Sequence, residues 1–293
     1  MSPRADRGSL VESLLSHSGV AVGDGAMGTL LQDMGLPLGE PADRFCLERP
    51  QAVAAVHHAF AGAGAAWVQT NSFGATRTAL AAAGLPYGVA ELNAAAARIA
   101  REAAPGLPVL GTLGPSRGPA SAWESAYAEQ AEALAAGGVS AFLVETIVSL
   151  PEGAAAVRAA AALGEVWATV VPDAAGRLLD GSDLLDAAER LRAAGAAVVG
   201  VNCGAGPGAL LEPAARLAVA RIAPVLAAPS AGLPEMTEGR ARYTLGPDAF
   251  AAAAIEYRKV GVRLFAGCCG ATPDHLRAVV DVLTPGARTI END

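Results

Sequence analysis

A closed (β/α)8 barrel is the fold class this sequence predicts, and three observations carry that prediction. Eight short apolar runs recur along the 293 residues, their starts roughly 25 to 45 residues apart, which is the length of a strand-helix unit in a parallel sheet. Between the runs lie alanine-rich segments with helical periodicity. No break in composition divides the chain, and its length is ordinary for one barrel, so residues 1–293 are expected to form a single domain with a core over about 18–285. An open doubly wound sheet is the alternative arrangement of the same units.

The strand candidates are Val20–Gly23, Ala66–Thr70, Pro108–Thr112, Ala141–Glu145, Val166–Val171, Ala197–Asn202, Ala223–Ala227 and Val262–Gly267. The helices between and after them are Gln51–Gly62, Val89–Ala103, Ser121–Ala136, Pro151–Leu163, Ser182–Ala194, Gly208–Val219, Pro247–Val260 and Pro273–Leu283. Ser182-Asp183 supplies a cap for the fifth helix. Thr272-Pro273 places a capping residue before a proline at the first helical position of the eighth. Glycines follow or end many of them, as at Gly62, Gly137, Gly164, Gly195 and Gly261. Two connections after strands are long, Asp24–Pro50 and Pro229–Gly246, and such loops are where a barrel places its function. The ends, Met1–Gly8 and Thr289–Asp293, are expected to fray.

Composition narrows the function. The chain is 52% hydrophobic, 17% charged and only 4% aromatic, with a formal net charge of −8. No basic run appears, which argues against nucleic acid and anionic membranes as partners. No apolar run approaches the roughly 20 residues of a membrane helix, and the polar N-terminus leads into no signal-peptide core. A cytoplasmic protein is expected. Four cysteines, two of them adjacent, do not look like a secreted disulfide framework.

Barrel strands converge at their carboxyl ends, so the residues standing there test for a site. Asp24 follows the first run, Thr70-Asn71 the second, Glu145-Thr146 the fourth, Asn202-Cys203 the sixth and Cys268-Cys269 the eighth. Three thiols at two strand ends could converge on one metal ion. Zinc suits soft thiolates, and three protein ligands leave a fourth position open for catalysis. The alternatives for Cys203, Cys268 and Cys269 are small buried hydrophobes or a strained disulfide between the adjacent pair. Glu145 follows Phe142-Leu143-Val144, where a carboxylate is costly without a cationic partner. In Gly23-Asp24-Gly25-Ala26-Met27-Gly28, glycines expose backbone N–H groups ahead of a short helix, a turn able to receive a carboxylate. A carboxylate for an amine, N–H groups for a carboxylate and a metal for a thiol describe an amino acid with a thiol side chain. Cys46 reads as packing. His17, His57, His58 and His275 fall in helical segments and read as structural.

The stretches Gly23-Asp24-Gly25-Ala26-Met27-Gly28-Thr29, Gln69-Thr70-Asn71-Ser72-Phe73-Gly74, Val144-Glu145-Thr146, Gly200-Val201-Asn202-Cys203 and Gly267-Cys268-Cys269-Gly270-Ala271-Thr272-Pro273 resemble the homocysteine S-methyltransferase family. The resemblance runs from about residue 20 to residue 283. It implies a barrel enzyme that methylates the homocysteine thiol to give methionine, with Zn2+ held by Cys203, Cys268 and Cys269. It implies that Asp24 and Glu145 hold the substrate amine, that backbone near Gly25 and Ala26 receives the carboxylate, and that Asn202 accompanies the first zinc ligand. Thr70 and Asn71 are counted with the substrate residues. The methyl donor is left open between a small molecule (betaine, S-methylmethionine or S-adenosylmethionine) and a methyl-corrinoid protein, and so is the oligomeric state. Met27-Gly28-Thr29-Leu30-Leu31-Gln32 is closer to the cobalamin-dependent and betaine branches. A full multidomain methionine synthase, or a long C-terminal dimerising arm, is not expected of this chain. One departure stands out: where relatives often carry Pro-Asn before Ala-Gly, this sequence has Pro229-Ser230-Ala231-Gly232. A contact made by that asparagine's amide must be replaced or lost. Two further readings are a non-catalytic zinc- or thiol-binding barrel subunit and methyl transfer to another thiol or selenol.

Overall fold

The structure, a computed structural model, describes residues 9–237 and 240–284. The termini expected to fray, Met1–Gly8 and Thr289–Asp293, lie outside the described residues. Eight strands form one parallel sheet: β1 Ala21–Val22, β2 Val68–Gln69, β3 Val109–Leu113, β4 Ala141–Ile147, β5 Glu165–Val170, β6 Ala196–Cys203, β7 Val225–Pro229 and β10 Leu264–Phe265. Their order is β1-β10-β7-β6-β5-β4-β3-β2, the circular order of a (β/α)8 barrel. At the remaining seam the Ala66 N–H donates to the Val22 carbonyl at 2.7 Å. Gly23 is required there, because a Cβ on it would stand 2.2 Å from the Trp67 ring. The seam therefore closes by side-chain packing, this backbone bond and the bonds between Gln69 and the Asp24 carboxylate.

Each of the eight predicted strands and helices is present, with ends that coincide or are displaced by at most two residues. Val262–Gly267 contracts to Leu264–Phe265, and the backbone turns at Cys269-Gly270, with Gly270 at φ +79°. The Asp183 carboxylate caps helix Leu184–Ala194, accepting from the Leu185 N–H at 2.8 Å. Thr272 and His275 form a reciprocal capping box at helix Pro273–Leu283. The other histidine nitrogen lies 2.7 Å from the Leu245 carbonyl, so His275 also fastens the seventh loop to the barrel.

Of the elements that were not anticipated, which include the short helix Arg77–Ala82, two stand at the ends of the barrel. Helix Leu10–Ser18 closes the bottom of the barrel. Its Val11 joins an interior cluster with Trp67, Leu110, Leu143, Trp167, Val198, Leu226 and Leu264. Glu165, at the start of β5, receives Ser9 Oγ at 2.9 Å, Leu10 N–H at 2.7 Å, Val11 N–H at 3.1 Å and Trp167 Nε1 at 2.7 Å. One carboxylate thus satisfies the orphan amides of a helix start and an interior indole. The second element is an antiparallel hairpin, β8 Pro234–Thr237 with β9 Arg240–Tyr243, in the long seventh loop. With the bottom plugged, only the carboxyl-end mouth is open for chemistry. Among the described residues, no helix is long and apolar enough to cross a membrane.

Candidate active site

The strand ends β1, β6, β7 and β10 are laced together by backbone hydrogen bonds. Ser230 N–H donates to the Cys203 carbonyl at 3.1 Å, Cys268 N–H to Pro229 at 2.9 Å, Ala231 N–H to Cys269 at 2.8 Å and Gly267 N–H to Asp24 at 2.9 Å. The lacing demands unusual backbone. Cys203 sits at φ +67°, a left-handed conformation uncommon outside glycine, and Gly270 sits at +79°. Gly270 is doubly constrained, since a Cβ there would stand 2.1 Å from the Tyr243 ring.

The result brings the sulfurs of Cys203, Cys268 and Cys269 within 4.8 Å of one another. Thiolates around a tetrahedral zinc at about 2.3 Å would stand about 3.8 Å apart. The donor set and its spacing therefore fit such an ion with small side-chain adjustments, and the triad could hold a metal. Cys268 and Cys269 are both free thiols, not a disulfide. All three cysteines of the triad are half-buried, whereas Cys46 is buried, its thiol donating to the Asn71 carbonyl at 3.2 Å. Hydrogen bonds from Cys268 and then Cys269 pull the Cys203 thiol far below its ordinary value. Its two neighbours are raised in turn, each through its bond to Cys203 first.

The two acids come from the end of β1, beside the cysteine pair, and from β4. A register shift between Val144 and Ile147 bulges β4 and releases Glu145 and Thr146 from regular pairing. Thr146 is left-handed, at φ +60°, and Asn202 holds it there. The Thr146 N–H donates to Asn202 Oδ1 at 3.0 Å, and Asn202 Nδ2 donates to Thr146 Oγ1 at 2.9 Å and approaches Cys268 Sγ at 3.9 Å. Asn202 therefore splints an acid-bearing bulge to a thiol. Asp24, only 2% exposed, receives the Gln69 N–H at 2.7 Å and Gln69 Nε2 at 2.9 Å. Burial pushes Asp24 up to about 7, against the lowering effect of those bonds. Burial, then the Asp24 and Cys203 charges, push Glu145 up to about 8. Among the described residues no cationic side chain forms an ion pair with either carboxyl.

A cavity of about 430 Å³ joins these groups. Asp24, Gly25, Ala26, Thr70, Asn71, Glu145 and the three cysteines line it, while Asn202 stands behind. Not all of the expected groups are free to bind. The Ala26 N–H is already given to the Ala271 carbonyl at 3.0 Å. Thr70 Oγ1 accepts from the Thr112 N–H at 2.9 Å and meets Ser72 Oγ at 2.6 Å. Asn71 Nδ2 donates to the Ala42 carbonyl at 2.8 Å. Thr70 and Asn71 shape the cavity wall with their side chains already committed to neighbouring groups. Gln69, Ser230 and Tyr243 were missed as site residues. Gln69 lay within a quoted motif but reads as a strand residue. Ser230 answers the departure noted above, because its Oγ reaches Cys203 Sγ at 3.7 Å. Tyr243 sits in a loop with no chemical pattern to mark it.

The carboxyl-end mouth of this parallel barrel gathers three free thiols beside two carboxyls that have no ion-pair partner among the described residues, a set of groups suited to an enzyme's site. Residues 21–283 match the family described as homocysteine S-methyltransferase, and the chain belongs to that family. It is 34% identical over 298 residues to a methionine synthase of Mycobacterium leprae, covering 92% of this chain, and 34% identical over 288 residues to that of Mycobacterium tuberculosis, covering 89%. It spans 24% of the length of each. The fold is similar to the metallated homocysteine methyltransferase MmuM from Escherichia coli, with a TM-score of 0.78 at 23% identity over 92% of this chain and 98% of that one.

Proposed function

We propose that this chain moves a methyl group onto the thiol of homocysteine to give methionine, using zinc held by Cys203, Cys268 and Cys269. The observation that carries the reading is one cavity lined by three clustered thiols and by two carboxyls that have no cationic partner among the described residues. Family membership supports the reaction, and the donor set supports the metal. Zinc bound there would lower the pKa of a fourth, incoming thiol, so that it is a thiolate at neutral pH.

The chain's own residues supply the rest. Asp24 and Glu145 receive the substrate ammonium, whose arrival offsets the burial that raises both carboxyls above their ordinary range. Gln69 holds Asp24 in one orientation with two hydrogen bonds while leaving lone pairs on both oxygens. The backbone at Gly25 faces the same cavity and suits the substrate carboxylate. The cavity is also lined by Phe73, Ala79, Ala83, Asp43 and Arg117, and its volume leaves space for the methyl donor, whether a small molecule or the exposed group of a methyl-corrinoid protein. Enclosure aligns sulfur and methyl carbon for in-line displacement. Free thiols suit a reducing compartment, the cytoplasm.

Zinc-loaded protein incubated with homocysteine and a panel of methyl donors should form methionine with at least one of them. Cys268→Ser should lose zinc and turnover together. Full turnover by the metal-free serine variant would overturn the proposal.

A further inference from the structure

Among the described residues that line the cavity, Asp24, Glu40, Asp43 and Glu145 are acidic and Arg117 alone is a cation. Arg117 is exposed and, among the described residues, forms no ion pair and donates no side-chain hydrogen bond. Glu40 is paired with Arg44 at 2.5 Å, and Asp43 receives the Gly74 N–H at 2.9 Å. Arg117 is also left-handed, at φ +56°, a conformation unfavourable for an arginine. Both neighbours hold it there. Ser116, fully buried, donates its N–H and its Oγ to Glu152 Oε1, each at 2.8 Å. The Ser116 carbonyl receives Thr76 Oγ1 at 3.2 Å and Thr78 Oγ1 at 2.6 Å. Gly118 donates its N–H to Ser116 Oγ at 3.2 Å, and a Cβ on it would stand 2.7 Å from Thr78 Cγ2. Arg117 follows β3, which lies three places from β6 and three from β10 around the closed strand order. It therefore stands across the mouth from the thiol triad, at the rim, whereas Asp24 is buried.

We propose that Arg117 is a specificity-determining residue whose guanidinium binds a carboxylate carried by the methyl donor. The inference rests on the reading of this cavity as a homocysteine methyltransferase site. Homocysteine, with its thiol at the triad and its amine at Asp24 and Glu145, leaves the rim to the second substrate. An anion entering a cavity lined by acids has one side chain to meet. A planar guanidinium matches a carboxylate with two parallel N–H donors. A donor with its methyl on a cationic centre and a carboxylate at its other end spans the mouth. Its carboxylate lies on Arg117 and its methyl faces the sulfurs, the order that in-line displacement requires. The bonds around Ser116 preorganise the loop, so binding need not order it.

Arg117→Gly removes the guanidinium and suits the left-handed backbone, so the variant should melt no lower than the unsubstituted chain. Betaine and S-methylmethionine, both onium carboxylates, are titrated separately by calorimetry into zinc-loaded protein free of acceptor thiol. At least one should bind, and its Kd should rise about tenfold or more in Arg117→Gly. Whichever shows that loss is the donor the rim selects. Arg117→Lys should fall between, because the charge remains and the fork is lost. Tetramethylammonium and trimethylsulfonium, which lack a carboxylate, should bind both proteins alike, and homocysteine affinity should be unchanged. Donor affinity undiminished in Arg117→Gly, a loss confined to homocysteine, or an unsubstituted chain that binds neither onium carboxylate would overturn the inference. Homocysteine binding by the unsubstituted chain in the same titrations would then leave the methyltransferase reading standing. Failure to bind homocysteine as well would overturn both.

Discussion

Asp24 is a carboxyl kept ready for a cation at the expense of the empty protein. Its native pKa of about 7 stands above the ordinary 3.8, so the folded state binds this proton more tightly than the unfolded chain does. The stability it contributes is complete below about pH 4 and is lost as pH rises through about 7, a loss of about 4 kcal/mol by linkage. Asp24→Asn removes the titration, and Gln69 can turn its amide over to satisfy the new side chain. The substituted and natural proteins should melt alike near pH 4. At pH 8 the variant should melt several degrees higher while homocysteine binding, followed by calorimetry, is lost. Parallel melting curves across that pH range would contradict the assignment. Asn202 makes a different prediction. Asn202→Ala strips Thr146 of both its partners and should weaken zinc about tenfold or more, measurable by chelator competition, while far-ultraviolet circular dichroism is unchanged.

Helix Leu10–Ser18 stands or falls with Glu165. Ala at that position would orphan the Trp167 indole, the Ser9 hydroxyl and two helix-start amides, at a cost of roughly 3 kcal/mol. The expected outcome is a lower melting temperature, and faster amide exchange confined to residues 10–18 and the start of β5, with the thiol triad's zinc affinity intact. Neither that helix nor the β8–β9 hairpin was legible in the sequence, for different reasons. The helix is short, and its anchor lies some 155 residues away in the chain, a pairing no local pattern encodes. The hairpin's first strand, Pro234–Thr237, is exposed along its length, so it lacks the alternation that reveals a half-buried strand. The barrel units were legible because each buries a strand run and one helix face, leaving two clear periodicities. At the site, residues that present chemistry were visible at the strand ends. Of those that hold them, Asn202 was visible in its motif and Ser230 as a departure from one, whereas Gln69 was not, because its role depends on which strand ends meet.

On the scale of the whole molecule, the thiol triad ties together regions that close late in the chain. Cys203 ends β6, the cysteine pair follows β10, and between them lie β7, two helices and the hairpin. An ion shared by those ends would bind the folded barrel and not the extended chain, so its binding free energy adds to folding. Melting should therefore depend on metal. Chelator treatment should lower the midpoint by several degrees, added zinc should restore it, and the shift should grow with free zinc as mass action requires. The same experiment on Cys203→Ser should give one midpoint regardless of chelator or zinc, since two thiols cannot hold the ion alone with comparable affinity. Melting insensitive to both chelator and zinc in the natural chain would mean that the three sulfurs meet for packing alone, and the barrel would then be held by its apolar core without help from a metal.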